Sequence, residues 1–211
     1  MNRGLLAVAG IGAILTLSEA ANAALFTVSE ISPSFSVTVE DKTFYDFSIS
    51  GTSVEGVDTI SVTVLPSGAH QLNYNANAVG GSTTLTTGGT LNYKVAIIPS
   101  SPYVFAKAGT NAQGDTTTGS FGRTLTPTGL TPATLNFVST GSTVSGTFAA
   151  GLKSIDVTST WSVAGGSSIN GFSDQYTQKV AVPEPSAVLG LVALGLVGVV
   201  GRSVSKSLHN K

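Results

Sequence analysis

The chain has no cysteine among its 211 residues. No disulfide, thiol nucleophile or cysteine-based metal site can exist in it. Histidine is scarce as well: there are two, and one of them, His209, lies near the C-terminus. The other, His70, sits in Ala69-His70-Gln71-Leu72. One histidine cannot build a His-based zinc site, and no carboxylate cluster with ligand spacing completes one. No nucleophile motif or orienting third group surrounds it either. The sequence therefore predicts a surface strand histidine, with no catalytic residue, no metal site and no cofactor. Charge is also sparse, at 10% of residues with a net charge of −1. Nothing draws such a chain to nucleic acid or to an anionic surface.

What the chain does have is two hydrophobic ends. Arg3 precedes an uncharged apolar stretch over residues 5–17, and Ala21-Asn22-Ala23 follows. That order predicts a signal peptide over residues 1–23 and a mature chain beginning at Ala24. At the other end stands Val182-Pro183-Glu184-Pro185-Ser186. An apolar run over residues 187–201 follows, then Arg202, Lys206 and Lys211. The two prolines fix φ and hold Val182 and Glu184 extended, so neither a helix nor an inner strand runs through them. The apolar run falls short of the ~20 residues a comfortable span needs. Glycines within it are tolerated in membrane helices, and the cations favour a cytoplasmic C-terminus. The expectation is a transmembrane helix stopped by Arg202 and Lys206.

This C-terminal arrangement resembles the PEP-CTERM sorting signal of Gram-negative bacteria. The resemblance implies that an exosortase, a membrane-embedded cysteine protease, recognises residues 182–186. It further implies transient anchoring in the membrane and delivery to the cell surface or extracellular matrix. The cations here are spaced rather than gathered into a dense arginine cluster.

Between the ends, residues 24–180 have the length of one ordinary domain. Period-two alternation dominates. Phe35, Val37 and Val39 share one parity, as do Tyr45, Phe47 and Ile49, and Ile60, Val62 and Val64. So do Leu72, Tyr74 and Ala76; Leu91, Tyr93, Val95 and Ile97; and Ile155, Val157, Trp161 and Val163. Such alternation, broken by glycine, predicts an all-β, antiparallel β-sandwich or jelly-roll-like domain. Val62, Tyr93, Val95, Val157 and Val163 are expected in its core. Trp161 reads as core filler rather than a sugar-stacking platform. Residues 108–134, rich in glycine and threonine, read as a surface loop or a weak edge hairpin, and so as the place for binding. Within them, Asn111-Ala112-Gln113-Gly114-Asp115 reads as a turn.

Carboxylates offer the remaining chemistry. Glu40-Asp41, Asp46, Glu55 with Asp58, and Asp174 are candidates for acid–base work on a sugar. Adjacent residues on a strand face opposite ways, so Glu40 and Asp41 are not expected to act as a pair. The functional expectation is an exported, non-enzymatic surface or matrix protein. A carbohydrate-binding module contacting exopolysaccharide is the alternative, and a hydrolase is the third choice.

Overall fold

A computed structural model describes residues 23–76, 84–115, 119–138 and 143–182. The chain divides into two units, Met1–Lys179 and Val180–Lys211. Only residues 180–182 of the second unit are described. The signal peptide up to residue 22, and the apolar run expected as a helix, lie outside the described residues.

Thirteen strands carry the described chain, with one 3₁₀ turn at Val28–Glu30. They are β1 Ala23–Thr27, β2 Ser36–Val39, β3 Lys42–Gly51, β4 Thr59–Val64 and β5 His70–Asn75. Next come β6 Gly89–Ile97, β7 Tyr103–Asp115, β8 Ser120–Pro127 and β9 Leu130–Thr131. The last four are β10 Leu135–Val138, β11 Val144–Phe148, β12 Ser154–Ala164 and β13 Ser168–Val180. They form two sheets, ordered β1-β4-β5-β13-β7-β11-β9 and β10-β8-β12-β6-β3-β2. The pairings resolved residue by residue are antiparallel. The edge strands are short, from two to five residues, which limits edge-to-edge association.

The sheets pack face to face, because one parity of each strand is apolar and must leave water. Strand β12 shows this plainly. Ile155, Val157 and Trp161 are buried, while Ser154, Asp156, Thr158, Thr160 and Ser162 are exposed. Aromatic rings join the two layers: Trp161 lies 5.5 Å from Phe172, and Tyr93 lies 6.5 Å from Tyr176. The Trp161 indole crosses Gly89, its partner on β6, and donates from Nε1 to the Thr87 carbonyl at 3.0 Å. Val62, Tyr93, Val95 and Val157 are buried as expected, but Val163 is only partly covered, at the end of β12.

Three readings of the strands need correction. Residues 108–134 are not a loop region. They contain most of β7 and all of β8, each an interior strand of its own sheet. Their glycines admit close neighbours: a Cβ at Gly114 would strike the Ser168 carbonyl. The expected turn at residues 111–115 is accordingly strand. Finally, Tyr45, Phe47 and Ile49 do not share a face throughout. Asp46 adopts φ 52°, and the register of β3 against β6 shifts between Tyr45 and Ser48. This bulge turns Phe44 and Phe47 inward and leaves Tyr45 on the outer side.

Candidate functional site

The candidate carboxylates separate into three environments. Asp174, on β13, is sealed between the sheets opposite Arg123 of β8, with an Nη2 to Oδ2 distance of 2.7 Å. The same carboxylate accepts from the Tyr93 hydroxyl at 2.8 Å and from the Thr110 hydroxyl at 2.9 Å. Arg123 also donates to Ser159 Oγ and to the Asn111 and Ser173 carbonyls, and its Cζ lies 3.8 Å from the Phe172 ring centre. Tyr93 and Tyr176 share a 2.6 Å hydrogen bond. Burial first, and the Asp174 charge next, push both phenols well above their ordinary range. Arg123, Asp174, Tyr93, Tyr176, Thr110 and Ser159 are all buried, so no substrate reaches them. The cluster ties five strands across the layers. Its polar residues lay on core parity, the only sequence sign of it.

The second environment is the tight turn between β2 and β3. Glu40 and Asp41 occupy this turn rather than a strand, with Glu40 at φ 51°. Strand alternation therefore does not apply to them. Glu40 Oε2 and Asp41 Oδ1 each come within 3.8 Å of His70 Nε2. His70 itself is buried on β5, not on the surface as the sequence predicted, and Nε2 lies 3.2 Å from the Val39 carbonyl oxygen. Burial and the Lys42 charge hold its pKa down to about 4, against the pull of Asp41. Lys42 is buried too, donating to Asp41 at 2.9 Å and to Gln178 of β13. Burial lowers its pKa despite Asp41. For Asp41, burial works upward, but hydrogen bonds from Lys42 and Ser101 outweigh it and lower its pKa. Among the described residues, no three His, Cys, Asp or Glu side chains gather to hold a metal.

In the remaining places the carboxylates serve local structure. Asp58 is buried, accepting from the Tyr74 hydroxyl and from the Glu55 amide, the latter at 2.9 Å. Asp46 pairs with Lys94 at 3.1 Å, and Asp156 lies 4.0 Å from the same lysine.

A further polar surface is the outer face of the six-stranded sheet. Registered pairs place Asn136, Thr124, Thr160, Thr90 and Ser50 in one row across five strands. A second row holds Thr126, Thr158, Asn92 and Ser48. Within these rows Thr124 donates to Asn136 at 2.9 Å, and Asn92 donates to Ser48 at 3.3 Å. The next row contains Asp156, Lys94, Tyr45 and Ser36. There the bulge beside Tyr45 opens a groove of about 450 Å³, lined by Phe35, Ser36, Thr43, Tyr45, Asp46 and others. The sequence hid this surface, because its members come from six separate segments.

Strand β13 ends at Val180, and Val182 is 83% exposed. Pro183, Glu184, Pro185, Ser186, Arg202 and Lys206 lie outside the described residues, as does Ala21. Ala23 and Ala24 open β1, opposite Thr63 and Val62. Among the described residues, no helix is long and apolar enough to cross a membrane.

Comparison with known proteins bears on the tail. No curated protein matches the chain. The solved structure of TmCBM61 in complex with beta-1,4-galactotriose is similar over 64% of this chain and 88% of that one. Its identity is 11% and its TM-score 0.36, a likeness too slight to carry any inference about fold or ligand. The family described as the PEP-CTERM protein-sorting motif matches residues 181–206. The chain thus carries a C-terminal PEP-CTERM protein-sorting motif, the mark of an exported protein.

Proposed function

We propose that this is a non-enzymatic protein of the cell surface or extracellular matrix, delivered through its C-terminal motif. The match at residues 181–206 carries the reading. It begins one residue after the end of β13, so the signal follows directly on the folded domain in sequence. The division is then 1–23 signal peptide, 24–180 exported domain and 181–211 sorting signal. Ala21 and Ala23 form the cleavage site, and Ala24 becomes the first residue. Removing residues 1–23 costs β1 only its first residue, Ala23.

At the other end an exosortase grips the extended peptide Val182-Pro183-Glu184-Pro185-Ser186. A proline-held strand offers unpaired backbone to a protease cleft. Residues 187–201 hold that peptide at the bilayer, and Arg202 and Lys206 resist translocation. The sealed Arg123–Asp174 cluster and the buried His70 support a scaffold rather than a catalyst. Fractionation of cells with and without an exosortase tests the reading. The chain should reach the surface only when the enzyme is present and should remain in the inner membrane without it. Equal surface levels in both strains would refute it.

A further inference from the structure

We propose that the outer face of the six-stranded sheet binds a neutral polysaccharide, with one sugar ring seated against Tyr45. The proposal rests on the reading that the chain works outside the cell. Its grounds are the two registered rows of hydroxyl and amide side chains and the groove beside them. Adjacent strands lie ~4.8 Å apart, and residues two apart on a strand are separated by ~6.8 Å. The longer row crosses five strands, so it offers hydrogen-bonding groups over roughly 19 Å. That is room for several linked sugar rings.

The chemistry of the face selects the partner. Lys94 is flanked by Asp46 and Asp156, so the charges on this part of the face largely answer one another. Neither a polyanion nor a polycation is favoured. An apolar protein surface would leave the threonine and serine hydroxyls of β12 without partners, at a cost in desolvation. A carbohydrate fits both features, because its hydroxyls both donate and accept and its C–H face packs on an aromatic ring. The β3 bulge supplies that ring by turning Tyr45 outward, beside Ser36 and Thr43.

The test uses the exported chain recovered from the surface fraction. Its retention is measured on amorphous cellulose, an insoluble β-1,3-glucan, agarose and, as an acidic control, an alginate gel. At least one neutral polysaccharide should retain it, and high salt should not release it. Tyr45→Ala should weaken that retention about tenfold, the equivalent of one 1.4 kcal/mol step, and Tyr45→Phe should restore it. The pair Thr158→Lys and Thr160→Lys should abolish it, whereas Lys107→Ser on the other sheet should not. Circular dichroism checks that each variant keeps its strands.

Retention on alginate alone would overturn the proposal, as would no retention at all. So would retention that Tyr45→Ala and the double lysine variant leave unchanged. Self-association that the double lysine variant dissolves, without polysaccharide retention, would assign the face to a second copy instead. In each case the chain would still be found exported, which separates this failure from failure of the sorting reading.

Discussion

Arg123→Met tests the packing of the two sheets. The substitution keeps an unbranched apolar stem, ending about where Nε stood, and removes every donor. Asp174 then loses its 2.7 Å partner while keeping Tyr93 and Thr110, and it remains buried. Breaking a buried pair by removing one member costs about 3–5 kcal/mol. That is a large part of the 5–15 kcal/mol that holds a typical domain. Urea unfolding followed by Trp161 fluorescence reads it, since Trp161 packs on Phe172, the ring beneath Arg123. At a slope of about 2 kcal/mol/M, the midpoint should fall by roughly 2 M. Adding Asp174→Leu removes the stranded carboxyl group. The double variant should therefore lose less than the sum of the singles, by at least about 1 kcal/mol. A cost below about 1 kcal/mol for Arg123→Met, or full additivity, would refute the sealed cluster.

Two further outcomes follow from the same packing. His70 has a folded pKa lowered to about 4, so below its ordinary value of 6.5 the unfolded chain binds a proton that the folded chain does not. Its contribution is present above about pH 6.5 and is lost as pH falls toward 4, amounting to about 3 kcal/mol. His70→Gln should flatten the pH dependence of unfolding free energy in that window, and an unchanged slope would contradict the burial argument. Gly89→Ala puts a methyl group into the Trp161 ring and the Ser50 carbonyl. It should destabilise by about 1–3 kcal/mol in the same urea assay, and a neutral result would mean that the indole does not cross β6 there.

Much of the architecture was legible because strand parity and burial agree. In β5, β6 and β12 the alternating apolar residues are the buried ones, and the sandwich follows from them. Parity failed where the backbone left regular geometry. The positive φ of Asp46 shifts the phase of β3, so Tyr45 lands outside, and nothing in Tyr45-Asp46-Phe47 announces it. Glu40 and Asp41 were read as strand but form a turn, so both reach His70. His70 looked like a surface residue because the environment that buries it comes from β2, its turn and β13. The glycines of residues 108–134 suggested loops, yet at Gly114 the missing side chain is what lets strands approach. The sorting motif was legible for the opposite reason: it is one contiguous stretch, residues 181–206, and needs no tertiary partner to be read from the sequence.

The most direct measurement is the mass of the mature C-terminus, taken from cells carrying the native chain and from cells carrying Glu184→Ala. The substitution removes the charge between Pro183 and Pro185 and leaves the apolar run intact. The native chain should appear at the surface with its C-terminal apolar segment removed, and the variant should stay full-length at its C-terminus in the inner membrane. If the variant reaches the surface at normal levels with the same C-terminal mass, the tail is only a membrane segment and the sorting account is wrong.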